Sequence, residues 1–322
     1  MGRKRIDWEK QIGRRLKLRD LQVFFTVVQH GSMAQAAAEL EVSQPAISEI
    51  IADLEHTVGV RLFDRSPKGV EPTIYGHTLL KRGLAAFDEL RQGIRDIEFL
   101  ADPTAGEVRI GCVESIASVI LPPVVEKFST KYPRTVLHVQ QLVASNLELR
   151  ELRERRLDLV LARVMRPLEN DADDLNVEVL FDDHLVIVAG ANSKWARRRK
   201  VDLAELLDEP WVMTPSGSWT YLMVEEIFRA RNLKMPNSRL VTFAVNLRAN
   251  LLAAAPFIAP LPRSMLLNLN PNLFTVLPIS LPDRRWPVVI VTLKNRTLSS
   301  TAQVFIEHLR ACANSMVQEL KP

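Results

Sequence analysis

The sequence predicts an α/β protein in two parts: a small helical head at the N-terminus and, beyond one long helix, a larger region of alternating strands and helices. Three observations predict it. Two helix starts lie eleven residues apart between Ser32 and Gly59. Apolar positions step by four and three along residues 74–101. Past residue 107, short aliphatic runs alternate with helical patterns.

Residues 1–19 carry eight basic side chains (Arg3, Lys4, Arg5, Lys10, Arg14, Arg15, Lys17 and Arg19) against Asp7 and Glu9. Such an arm favours a polyanion. Leu18, Leu21, Phe24, Phe25, Val27 and Val28 then form an apolar helix face that stops at Gly31. Ser32 and Ser43 are each placed to cap the turn that follows them. Between the caps, Ala34, Ala36, Ala37, Ala38 and Leu40 make a short, small-surfaced helix, and Glu41–Ser43 turns the chain. The next helix sets Ile47, Ile50, Ile51 and Leu54 on one side and Gln44, Ser48 and Glu49 on the other. Helix, tight turn and second helix is the arrangement that enters a DNA major groove, although periodicity alone fits any helical hairpin equally well.

Val60, Leu62 and Phe63, the turn-forming cluster Asp64–Gly69, and Val70–Thr73 read as two short arms around a charged tip, a wing. Arg65 and Lys68 at that tip are candidate phosphate contacts, and Thr73 closes the element. In the long helix, Gly76, Leu80, Gly83, Phe87, Leu90, Ile94, Ile97 and Ala101 trace a seam rather than a broad stripe. The seam predicts a dimer interface, against the plainer reading of a helix packed on its own domain. Asp102–Gly106 reads as a hinge. The boundaries predicted are a basic arm over 1–17, the winged head over 18–73, a linker helix over 74–102 and a regulatory domain over 103–322.

In the regulatory domain, VRIGCV, TVLHVQQLV and LDLVLAR alternate with helices and imply a parallel sheet. A second set runs through HLVIVAG, PWVMT, RLVTF and PFIAP before the chain returns through PVVIVTLKN and a last helix over 302–316. One lobe covers about 103–184 and 282–322, the other about 185–281.

Composition narrows the classes. An apolar share of 47% and a charged share of 25% suggest neither disorder nor a membrane protein. Two cysteines, Cys112 and Cys312, make no disulfide framework, and no export signal follows the basic start. A cytoplasmic protein is expected, which counts against a secreted solute-binding protein. Enzyme chemistry finds no support: the six histidines lack metal-ligand spacing, and GxSxG, P-loop and GxGxxG motifs are missing. Asp171, Asp173, Asp174, Asp182 and Asp183 read as a solvated connection.

The run LRDLQVFFTVVQHGSMAQAAAELEVSQPAISEIIADLEHTVGVRLFDRS, continued by PTIYGHTLL, resembles the N-terminal signature of the LysR-type transcriptional regulators almost position for position, and the likeness extends more loosely along the chain. The resemblance implies a winged helix-turn-helix, a long helix pairing with its twin, and a two-lobed effector domain like the type 2 periplasmic binding proteins, with parallel or mixed sheets. It implies as partners a double-stranded DNA operator, a small-molecule effector, further copies of the chain as dimer or tetramer, and RNA polymerase, with no cofactor and no membrane. Gln44, Ser48 and Glu49 then take the base-reading role, with Pro45 against the groove edge, and Ser32, Ser43 and Thr73 join Arg65 and Lys68 among the residues expected to contact DNA. Gln44 pairs bidentately with adenine, and Ser48 serves several bases. Glu49 departs from the basic residue common in relatives and either accepts from cytosine or turns back toward an arginine. Family positions support Arg65 on phosphate.

In the cleft, beyond the carboxyl ends of the strands, the expected residues are Ser115 and Ile116 beside Glu114, Ala144 and Ser145, Arg163, Thr214 and Ser216 in the loop to Trp219, and more weakly Thr242. Ser115 and Ser145 align with effector-contacting positions of relatives, yet each serine alone also fits a helix cap. A small carboxylate suits helix N-termini, but Glu114 opposes it, and VNLRANLLAAAPFIAPLP lacks the glycine-rich turn of relatives, so cationic, neutral and aromatic ligands stay open. Thiol redox sensing and ligand-independent DNA binding are the alternatives.

Overall fold

The computed structural model describes residue 12 and residues 14–66, 69–142, 149–164, 173–282 and 285–319. Arg3, Lys4, Arg5 and Lys10 of the arm, Lys68, Ala144, Ser145 and Asp171 lie outside them. The chain divides into two compact units between Leu90 and Arg91.

In the first unit, α1 (Leu18–His30), α2 (Met33–Glu39) and α3 (Gln44–Val58) close on Phe24, Val27, Ala36, Ile47, Ile51 and Leu54, all buried. The small side chains of α2 let its neighbours approach, as the alanine run predicted. Gly31 ends α1 with φ +62°, and Glu41 takes φ +55° in the turn before α3. Leu18 departs from the expected apolar face: it is exposed at the helix start. The wing is β1 (Phe63–Ser66) against β2 (Gly69–Pro72), antiparallel. Arg65 therefore sits within a strand, paired in register with Val70, and not at the tip. Glu55, which the periodicity had not singled out, accepts from the backbone N–H groups of Leu62 at 2.6 Å and Phe63 at 3.2 Å, fastening the wing to α3. Val70 N–H donates to the Gly31 carbonyl at 2.9 Å; a Cβ on Gly69 would meet that oxygen at 2.7 Å, so the approach needs glycine.

The long helix α4 (Ile74–Ala101) occupies the segment expected as the linker helix. Its early seam residues pack on the head: Gly83 lies against Phe25, and Phe87 meets the Phe25 ring edge-on at 5.4 Å. Its later ones, Leu90, Ile94 and Ile97, are exposed, with Leu100 beside them. The seam thus divides between the two readings that the 4-3 spacing allowed.

In the second unit the last turns of α4 are tied down. Asp96 accepts from Ser300 N–H and Oγ, and Arg95 approaches Glu107 and the buried Asp158. The first lobe has β3 (Ala105–Val113), β4 (Arg134–Leu142), β5 (Leu159–Arg163), β6 (Leu175–Asp183) and β12 (Trp286–Leu293), in the order β4-β3-β5-β12-β6. The first three strands are parallel, as the alternation predicted for them, and β12, returning from the second lobe, runs antiparallel to β5 and β6, so the sheet as a whole is mixed. Helices α5 (Glu114–Lys131) and α9 (Ser300–Glu319) cover it through Phe128, Phe305 and Leu309; a short turn of helix, α6 (Arg150–Arg153), precedes β5. The second lobe has β7 (Leu185–Gly190), β8 (Trp211–Met213), β9 (Ser238–Val241), β10 (Ile258–Pro262) and β11 (Phe274–Val276), in the order β11-β7-β10-β8-β9, with α7 (Trp219–Ala230) and α8 (Val245–Ala254). The chain crosses from the first sheet to the second at His184 and returns between β11 and β12.

Among the described residues, no helix is long and apolar enough to cross a membrane.

Candidate functional site

The outer face of α3 is the first candidate. Ser43 caps the helix, its hydroxyl accepting from Ala46 N–H, and Pro45 stands in the first turn. Gln44, Pro45 and Glu49 are exposed there, so helical spacing alone presents them to solvent. Ser48 is only half exposed, and its hydroxyl donates to the Met33 sulfur at 3.4 Å. Ser32 caps α2 through Gln35 N–H. Thr73 is committed within the head: its hydroxyl donates to the Arg61 carbonyl at 2.9 Å and accepts from Gly76 N–H at 3.1 Å, capping α4. Arg65 is exposed on the wing, and Arg14, Arg15, Lys17 and Arg19 are exposed around the start of α1.

The second candidate is a cavity of about 340 Å³ between the two lobes. Val113 and Leu142 reach it from the ends of β3 and β4, Arg163 from β5, Pro262 from β10, and Thr214 and Phe243 from just past β8 and β9. Each of these is at or beyond the carboxyl end of its strand, where the backbone turns into a helix or loop and side chains converge. The lobes also touch: Glu114 accepts from Val245 N–H at 3.4 Å, and Asn268 donates to the Ser118 carbonyl.

Arg163 is the anchor of the first lobe. Its guanidinium donates to Ser115 Oγ at 3.0 Å and to Asp183 at 2.9 Å, and it lies 5.2 Å over the Trp219 ring. Asp183 corrects the reading of its acidic segment as a solvated connection. The segment ends strand β6, and the Asp183 side chain is fully buried, accepting also from Ser264 N–H and Oγ and from His184 N–H. A buried carboxylate persists there because the guanidinium charge and these neutral donors surround it. The first-lobe arginine is therefore compensated from behind.

Arg248 on α8 is different. It is 3% exposed, lines the cavity, and its Nε and Nη1 have no hydrogen-bond partner. Burial pulls its pKa down to about 10, Glu114 acting the other way and Arg163 adding repulsion. Thr214, Ser218, Trp219 and Thr220 complete the second-lobe wall; the Thr214 and Ser218 hydroxyls are 2.6 Å apart.

Of the residues expected in the cleft, Ser115, Arg163 and Thr214 line it. Ser115 is not the cap of α5, since Val113 holds that position without a side-chain bond. Ile116 is buried in the first-lobe core, Ser216 is exposed away from the cavity, and the Thr242 hydroxyl is spent on Ala244 N–H. Arg248, Thr220, Asp183 and Ser264 were missed, whereas Ser218 and Trp219 belong to the loop expected on the rim and do line the cavity. A single charged residue inside an otherwise uncharged helix, VNLRANLLAA, was the available signal for Arg248. Cys112 and Cys312 are both buried, and burial pushes the Cys112 thiol up to about 12, the reverse of a reactive cysteine.

The LysR substrate binding domain family matches residues 101–313, and the bacterial regulatory helix-turn-helix protein family of LysR type matches residues 18–77. The chain belongs to the LysR family of transcriptional regulators. It is a LysR-type DNA-binding regulator, and its curated relatives carry the corresponding names. The HTH-type transcriptional regulator GbpR of Azospirillum brasilense is 28% identical over 306 residues, 94% of this chain and 89% of that one. The transcriptional dual regulator GltC of Bacillus subtilis is 27% identical over 301 residues, 91% and 96% respectively. Among solved structures, a full-length OxyR variant from Pseudomonas aeruginosa shares the fold at TM-score 0.63 and 20% identity, covering 92% of this chain and 94% of that one. Full-length CbnR in complex with its target DNA shares it at TM-score 0.52 and 20% identity, covering 92% and 100%.

Proposed function

We propose that this LysR-type regulator senses a small molecule in the interlobe cavity and converts its occupancy into a change in operator binding. The single observation that carries the reading is the cavity itself. About 340 Å³ is ligand-sized, and Arg163, Arg248, Thr214 and Ser218 converge on it from both lobes. A ligand touching both lobes binds the closed arrangement better than the open one, and that difference in affinity is what shifts the population. Gln44 and Glu49 read base edges with Pro45 at the groove edge, Ser48 takes a lesser part because Met33 engages it, and Arg65, Lys68 and the basic arm position the duplex on its phosphates. Two copies pair along α4, burying Leu90, Ile94, Ile97 and Leu100. The dimer supplies two heads for two half-sites.

The test is a thermal-shift screen of metabolites on the full chain, followed by footprinting on a DNA fragment selected by the protein from random sequence. A compound that raises Tm in the parent but not in Thr214→Val is expected to alter the footprint. An identical footprint with the cavity filled and empty would remove the sensing role.

A further inference from the structure

Two opposite charges line the cavity without meeting. The Arg248 guanidinium on the second lobe is nine-tenths buried with two of its nitrogens unpartnered. Glu114, at the start of α5 on the first lobe, is within electrostatic reach of it, yet the two form no hydrogen bond; Glu114 leans instead on Val245 N–H. Arg163, the other cation on the wall, is already neutralised by Asp183 at 2.9 Å. Counting charges, the wall offers one open cation and one open anion on facing lobes. A simple carboxylate would satisfy Arg248 but bring a second negative charge to Glu114. A dicarboxylate would do so more strongly, and an amine would repeat the conflict at Arg248. A zwitterion satisfies both and adds no net charge to a desolvated site, which is the arrangement that costs least there.

The remaining wall sets the rest of the ligand. Trp219, Phe243, Leu142 and Val113 present apolar surface, and about 340 Å³ exceeds what a small polar amino acid fills. We infer that the cavity takes a free amino acid with a large apolar or aromatic side chain, its carboxylate on Arg248 and its ammonium on Glu114. This deepens the sensing role proposed above and rests on it. Arg248 and Glu114 lie on different lobes, so one ligand backbone bridges the cleft.

The experiment is thermal shift and calorimetry on the full chain with L-phenylalanine, L-tryptophan and L-leucine. Two controls each remove one charge: 3-phenylpropionate lacks the ammonium, and phenylalaninamide lacks the carboxylate. At least one amino acid is expected to raise Tm, with both controls weaker by at least tenfold in affinity. Arg248→Met should abolish the response while its ligand-free Tm stays at or above the parent's, which separates lost binding from lost folding. Glu114→Gln should reverse the preference and accept 3-phenylpropionate. Three results would overturn the assignment: no response to any of the three amino acids, a control as effective as its parent compound, or an unchanged response in Arg248→Met. If a compound of another class raises Tm and Thr214→Val abolishes it, the cavity still senses and only the amino-acid assignment fails; if Thr214→Val changes the response to no compound, the sensing role fails with it.

Discussion

The head and the cleft solve opposite problems. On α3 the polar side chains Gln44 and Glu49 stand exposed on a helix whose other face is fully buried by Ile47, Ile51 and Leu54, so one amphipathic segment builds and displays the surface. In the cleft no segment suffices: Ser115, Arg163, Asp183, Thr214, Arg248 and Ser264 come from distant stretches and acquire their roles only by convergence. The difference teaches where energy is stored. The head keeps its polar groups in water and holds itself together by apolar packing. The cleft buries charge, pairing the Arg163 guanidinium with the Asp183 carboxylate and leaving Arg248 with no carboxylate in contact, although Arg163 Nε also lacks a hydrogen-bond partner.

The largest expected effect breaks the compensated half. Asp183→Ala leaves Arg163 as an unpaired buried cation, and about 3–5 kcal/mol of stability should disappear from the regulatory domain in urea unfolding, the scale for one partner removed from a buried pair. A loss under about 1 kcal/mol would show that water reaches Arg163 and that the two arginines do not differ as described. Next in size is the head: Gln44→Ala should cost about 1–3 kcal/mol at the selected operator and little on random DNA. Equal losses on both would place Gln44 among the phosphate contacts.

These two regions also differ in how much the sequence discloses. The caps at Ser32 and Ser43, the stop at Gly31 and the limits of α4 were all readable, because capping and helical spacing act within a few residues. The wing was placed, but its strand register was not, so Arg65 was put at the tip instead of beside Val70. Strand β6 was hidden because LNVEVLFDD ends in two acids, and only the fold shows that Asp183 faces Arg163 and Ser264. Arg248 escaped for the same reason: an arginine's burial depends on what folds over it, which no local pattern contains.

A smaller effect sharpens the view that the head depends on local structure. Ser43→Ala removes the α3 cap, and about 1 kcal/mol of head stability should be lost in thermal unfolding; no change would mean that Pro45 alone sets the helix start. The smallest effect belongs to the hydrophobic core of the regulatory domain. The Cys112 thiol is raised by burial from 9.0 to about 12, so the folded state holds its proton longer than the unfolded chain does. That contribution is fully present below pH 9.0 and is lost as pH rises toward 12. Cys112→Ala should therefore flatten the fall in stability on the alkaline side and leave the neutral pH dependence as it is. Rapid labelling of Cys112 by a thiol reagent at about pH 8 in the folded protein would contradict its burial.

The separation of reading from sensing is tested most directly by measuring two properties on two variants side by side: operator affinity by fluorescence anisotropy, and the Tm response to whichever compound stabilises the parent chain. Gln44→Ala should lose operator affinity and keep the Tm response, and Arg248→Met should keep operator affinity without ligand and lose the Tm response. If either substitution abolishes both properties while the protein stays folded, head and cleft are not separate sites and the account is wrong.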